Sequence, residues 1–224
     1  MNDITLIVEA IVLTLGSITW HELAHAVTAI ALGDPTPRRL GHLTLNPLKH
    51  TNQYGIVLVV LSAISLHDGQ AFGFGFCPVD EQNMKPTPKT GGGIVAVAGP
   101  ISNVILALIL ATILHFVPLT GNPDADPRFL VPDGWYAFVQ NGIILNLALA
   151  VFNILPIPPL DGWRVLETFL SSRTLFELRN IKQYGPLILI LVFLFGPQIG
   201  LTGALYSNFV YPVAQILIPG SRFG

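Results

Sequence analysis

Between Ile4 and Leu32 the chain carries no lysine or arginine and only two carboxylates, Glu9 and Glu22. At about 1.5 Å per residue, a helix over this run is long enough to cross a hydrocarbon core of roughly 30 Å with some tilt. This run constrains the fold more than any other feature. Backbone surrounded by lipid must satisfy its own hydrogen bonds, and a single segment does that only as a helix. Gly33-Asp34-Pro35 ends it, because proline cannot continue a helix. Two further runs of this kind cover residues 92–117 and 135–157, the latter opening on Trp135 and Tyr136, residues suited to a membrane interface. Charged residues make up 11% of the 224 positions, less than half the usual share of about 25% in soluble domains. The chain therefore reads as an integral membrane protein. Its start, MNDITLIVEA, lacks a basic region and a small-residue cleavage site, so it reads as a retained membrane helix rather than a signal peptide.

The remaining segments are less regular. Ile56–Leu66 is apolar but about half a normal span, a length typical of re-entrant or interfacial segments. Ala71–Val79, AFGFGFCPV, alternates aromatic and glycine residues and is predicted to be extended, a small strand or hairpin at the membrane surface. The apolar tail at 184–219 is long for one crossing and short for two, leaving one span plus a bent return open. The predicted fold class is an all-α polytopic membrane protein with about four to five transmembrane helices, a short re-entrant segment and a small membrane-associated β element. It forms a single domain over 1–224, with a core at about 4–180 and one or more C-terminal membrane segments at 184–219.

Charge orients it. If Ile56–Leu66 does not cross, the loops at 33–55, 67–91 and 158–183 share one side. They hold Arg38, Arg39, Lys49, Lys85, Lys89, Arg164, Arg173, Arg179 and Lys182, while the loop at 118–134 holds only Arg128. The positive-inside rule makes the basic side cytosolic. The net charge of −2 comes with no basic stripe, so nucleic acid is not an expected partner. Cys77 is the only cysteine, which excludes a disulfide framework within the chain and a multi-cysteine metal site.

His21-Glu22-Leu23-Ala24-His25 places polar chemistry inside the first apolar run. Two histidines at i and i+4 share a helix face and can reach one metal ion. Glu22 lies beside them, where a carboxylate could take a proton from metal-bound water. The plainer alternative is an interhelical hydrogen-bond network. Metal is favoured because titratable groups at membrane depth are rare and mark function. A catalytic zinc site has three protein ligands and an open position. Asp161 is the candidate third ligand, following the proline-broken end of the 135–157 run in NILPIPPLDGW. The topology from charge puts Asp161 and the histidines toward the same cytosolic side.

Three motifs in this order, HELAH at 21–25, AGPISN at 98–103 and NILPIPPLDG at 153–162, strongly resemble the site-2 protease family of intramembrane zinc metalloproteases. GHLTLNPLKH and FGFGFCPVD are similar to its compact prokaryotic branch. The resemblance implies Zn²⁺ held by His21, His25 and Asp161, with Glu22 as general base. It also implies that Asn153 holds the substrate backbone beside the metal. Substrates would be transmembrane proteins cut within their membrane segments, as in regulated intramembrane proteolysis, at the cytosolic side of a prokaryotic plasma membrane. Cleavage requires unwinding, since a helix hides its peptide bonds. An amide side chain can both donate to and accept from the freed backbone, and Ala71–Val79 could pair with it as an added strand. The chain leaves no room for a PDZ-like domain. HTNQYG lacks the acidic residue expected after the histidine in this branch, which argues against a ligand role for that loop.

Other polar residues are given structural roles. Asn103 and Asn146 are expected to make interhelical hydrogen bonds. His50 is expected at the surface, His42, His67 and His115 have no partner spacing, and Cys77 is a small buried residue. Glu9 lies three turns before His21 and faces either a polar cavity or the outer surface. A catalytically silent membrane-protein scaffold and an ion or proton transporter are the competing functions. The first would be marked by a missing ligand or glutamate. The second would carry inverted repeats, and none is present.

Overall fold

The computed structural model describes residues 3–66, 71, 73–116, 134–196 and 198–218. His67, Arg128 and the loop at 118–133 lie outside them. Three helices are long and apolar enough to cross a membrane: α1 (Asp3–Ala31), α5 (Pro88–Phe116) and α6 (Trp135–Asn153). Between α1 and α5 come the single turns α2 (Thr36–Arg39) and α3 (Pro47–His50) and the short apolar helix α4 (Gln53–Leu66). After α6 follow the amphipathic pair α7 (Asp161–Phe169) and α8 (Ser172–Gln183), then α9 (Gly185–Phe195). The last helical stretch is α10 (Leu201–Leu205), a π turn at Tyr206–Val210, and α11 (Tyr211–Leu217).

Polarity is arranged for an apolar solvent. Ile4, Val8 and Val12 on α1 and Ile101, Ile105 and Leu108 on α5 point outward. Thr14, Ser17, Thr19, His21, Glu22 and His25 point inward. Water would reverse this pattern, whereas lipid makes it stable. The centre is α5, which packs against α1, α6 and α7. Ala107, Ala111 and Leu114 of α5 meet Val139, Ile143 and Leu147 of α6, and Val210, Ala214 and Ile218 close that cluster. The C-terminal segment turns at 198–200, and its stretch from Tyr206 to Ile218 packs on the α5–α6 pair. α9 has 11 residues, too few for a crossing of roughly 30 Å.

α4 spans 14 residues and rests on α1 through Val59, Ala63 and Ala10. It starts where an acidic residue was expected. Asn52 Oδ1 accepts from the Gly55 amide at 2.8 Å, so a neutral amide caps this helix. The predicted β element has no strand ladder among the described residues. The segment is nonetheless laid along α1. Thr14 donates its hydroxyl to the Ala71 carbonyl at 3.3 Å, Gly73 packs against Ile18, and Gly75 packs against Glu22. Steps of two residues in the segment match steps of four on the helix. These are nearly equal lengths only if the segment is extended, about 6.6 Å against 6 Å. Alternate small residues face the helix, while Phe74 and Phe76 are exposed.

The α1–α2 corner is tied by Asp34, which is fully enclosed. It accepts from the Thr36 amide at 3.0 Å, the Asp80 amide at 2.7 Å and the Asn83 side chain at 3.3 Å. Burial alone would raise its pKa, but these bonds outweigh burial and hold it below the usual carboxylate value. A carboxylate depressed in the folded state stabilises it above the unfolded pKa, and that stabilisation is lost as pH falls through the folded value. Asp34→Ala should therefore weaken the corner by roughly 1–3 kcal/mol at neutral pH. Limited proteolysis of the 73–91 segment checks this: cleavage should speed up in the variant, and the difference should vanish well below about pH 4. Equal rates at pH 7 would refute it.

Candidate metal centre

His21 and His25 stand one turn apart on α1, with ring centroids 4.6 Å apart and edge to face. Both are buried, as is Glu22 between them. Asp161 opens α7. The chain leaves α6 at Asn153 and turns through Pro156–Leu160, where the Leu160 amide donates to the Ile157 carbonyl at 2.9 Å. α7 then packs back on α5, and Lys89 of α5 donates to the Leu170 carbonyl at its far end. Asp161 Oδ2 thereby lies 3.0 Å from His21 Nε2 and 3.4 Å from His25 Nε2. One ligand atom from each of the three residues falls within 4.8 Å of the others. The predicted ligands are thus brought together from positions 140 residues apart in the chain.

The outer edge of each imidazole fixes its chemistry. His25 Nδ1 is 2.7 Å from the Val95 carbonyl oxygen, which can only accept, so Nδ1–H donates. His21 Nδ1 faces Asn103 Oδ1 at 2.5 Å. The ε nitrogens of both rings face the same Asp161 oxygen. In neutral rings protonated on Nδ1 these three atoms are all acceptors, an arrangement that a cation stabilises. Gly99 lets both rings pack close against α5: a Cβ there would stand 2.5 Å from His21 Nε2 and 2.5 Å from His25 Cε1. The donor set of two imidazoles and one carboxylate fits a catalytic zinc-type site, which takes three protein ligands.

Gly75 lies over Glu22. A Cβ there would stand 2.7 Å from the Glu22 carboxyl carbon. Phe76 ties the same segment down, its amide donating to the His50 carbonyl at 2.7 Å. Asn153 is the last residue of α6 and half-buried, and its side-chain amide donates to the Leu149 carbonyl at 2.9 Å.

Several residues differ from their sequence reading. His50 is enclosed, not at the surface; its Nε2–H donates to the Thr44 carbonyl at 2.8 Å and its ring packs edge-on to His42 at 5.5 Å. Glu9 is buried and accepts from Asn141 at 3.0 Å, so it faces α6. His115 lies against the Ala111 carbonyl of its own helix at 3.3 Å. Cys77 is half-buried, and burial pushes its thiol pKa up to about 12, so it is unreactive. Asn103 and Asn146 make the expected interhelical hydrogen bond, but the contacts of Val95, Gly99 and Asn103 with the two histidines went unread in the sequence. A signal was present: Val95, Gly99 and Asn103 recur every fourth residue on α5, as do Ser17, His21 and His25 on α1.

The sequence profile of Peptidase family M50 matches residues 9–125 and 128–196. YwhC of Bacillus subtilis (strain 168) is 35% identical over 180 residues, which cover 79% of this chain and 76% of YwhC. Rip2 of Mycolicibacterium smegmatis is 33% identical over 183 residues, 80% of this chain but only 63% of Rip2, just under two thirds of its length. Both names assign their proteins, by inference, to the zinc metalloproteases. The zinc metalloprotease MJ0392 of Methanocaldococcus jannaschii is 28% identical over 131 residues, 57% of this chain and 35% of that protein. No solved structure matches the chain.

Proposed function

Because the chain belongs to Peptidase family M50, the site-2 proteases, we propose that it is an intramembrane zinc endopeptidase that hydrolyses peptide bonds within transmembrane segments. One observation carries the reading: two imidazole nitrogens and a carboxylate oxygen converge among helices apolar enough to cross a membrane. His21, His25 and Asp161 would hold the ion. Zinc bound there supplies Lewis acidity, polarising a carbonyl and acidifying water.

The chain's own groups do the rest. Glu22 is buried beside the ligands. It takes a proton from the attacking water and returns it to the leaving amine. Asn153 steadies the unwound substrate backbone with its free amide oxygen or, after release from Leu149, with both its donor and its acceptor. The extended segment at 73–76 borders Glu22 and receives the substrate strand along its backbone. Unwound backbone at this depth is tolerated only against protein or water, and the half-exposed turn at 154–160 supplies that boundary. α4 is the re-entrant segment, and the helical stretch at 201–217, packed on α5 and α6, adds a fourth membrane element to the bundle. The charge of the loops supports a site on the cytosolic side, and the reading takes the membrane to be a prokaryotic plasma membrane.

The test is metal content after chelator-free purification in detergent. About one zinc per chain is expected, falling well below that in Asp161→Ala, whose remaining two ligands leave an incomplete set. Absence of zinc from the unaltered chain, or equal zinc in both forms, would refute the site. Cleavage of a reconstituted transmembrane substrate then tests the reaction itself.

A further inference from the structure

The buried amides Asn103 and Asn146 do more than join helices. His21 Nδ1 meets Asn103 Oδ1 at 2.5 Å. Asn103 Nδ2 donates to Asn146 Oδ1 at 2.8 Å. Asn146 Nδ2 donates to the Gly142 carbonyl at 2.8 Å and to the Ser17 hydroxyl at 3.0 Å. Both asparagines are fully enclosed, so water cannot replace any link. The chain of bonds has one direction. The Gly142 carbonyl can only accept, so the Asn146 amino group must face it. Asn146 then turns its oxygen to Asn103. Asn103 must answer with its amino group, and its own oxygen is left for His21. Either amide turned over would set oxygen against oxygen in a buried site, an unsatisfied contact of the costly kind.

From this polarity we infer that Asn103 and Asn146 are positioning residues that lock His21 in the Nδ1–H tautomer, with the Gly142 carbonyl as the fixed end of the relay. Were Asn103 turned over, His21 would carry its proton on Nε2, pointing at Asp161 and blocking the lone pair that binds metal. The inference rests on the zinc reading above and deepens it: Asn103 and Asn146 serve the ligand His21. His25 reaches the same tautomer by a shorter route, directly through the Val95 carbonyl. One ligand is thus set by backbone and the other by a side-chain relay across three helices.

The experiment measures zinc affinity by chelator competition, with thermal unfolding of the metal-free forms alongside. Asn103→Leu keeps the volume and removes the acceptor; it should weaken zinc about 10- to 100-fold. Asn103→Asp restores the oxygen facing His21 but sets its second oxygen against Asn146 Oδ1, so it should recover part of the affinity that Asn103→Leu loses. Asn146→Ala leaves Asn103 in place but removes what orients it, and should lose affinity by a smaller factor. A packing role alone would lower the unfolding temperature without moving zinc affinity, or would leave Asn103→Asp as weak as Asn103→Leu; either result overturns the proposal. If Asn103→Leu does not fold, unchanged affinity in Asn146→Ala overturns it equally. An unaltered chain that binds no zinc overturns the parent reading, a result that no variant is needed to see.

Discussion

Glu22→Gln should abolish cleavage while leaving zinc in place. The carboxylate is buried in α1 between two of the ligands but is not one of the three converging atoms. Gln keeps the shape and the hydrogen-bonding oxygen but cannot take up a proton. A general base of this kind is worth about 10²–10⁴ in rate, so turnover should fall by at least that range. Zinc content should match the unaltered chain. The paired measurement separates the functions. Loss of cleavage with zinc retained marks an enzyme. Unchanged binding of membrane proteins by a chain that never cleaves would instead favour the silent scaffold.

Gly99→Ala should be nearly as severe, by another route. The added Cβ would stand 2.5 Å from atoms of both imidazoles, below any real contact distance. Neither ring can yield easily: one is held by the Val95 carbonyl and the other by Asn103. The backbone of α5 must move away, or the rings must leave their geometry. Zinc affinity should fall by roughly 100-fold or more, since even the loss of an outer partner of a ligand costs about 10- to 100-fold. The helix itself should survive, because alanine favours a helix over glycine by about 1 kcal/mol. Retained helical content with lost zinc is the expected result. Unchanged zinc affinity would show that the cradle is looser than the geometry implies.

Much of this was legible in the sequence, and for definable reasons. The helix periodicity places His21 and His25 on one face whatever surrounds them. Apolar runs without lysine or arginine allow only a membrane helix, and α1, α5 and α6 lie where those runs predict. Asp161 could be named because proline ends the preceding helix and leaves a carboxylate at a similar depth. The alternation at 71–79 predicted a strand or hairpin, and among the described residues the segment lies along α1 without a strand ladder. An alternating segment announces two faces but not what each face meets. Here one face meets α1 rather than a neighbouring strand. His50 was misread because loop histidines are usually exposed, and nothing local reveals that the 73–76 segment covers this one.

By itself, then, the sequence determined what local periodicity and solvent preference can determine: which segments enter lipid, which face of α1 carries the histidines, and which residue types are present to bind a metal. Tertiary structure alone decided how those groups are aimed. The proton positions on the two imidazoles depend on partners 82 and 70 residues away. The third ligand arrives from 140 residues away. A histidine's own neighbours along the helix do not fix which nitrogen is bare. An acceptor on another helix does, and its place is set only once α5 and α6 have packed against α1.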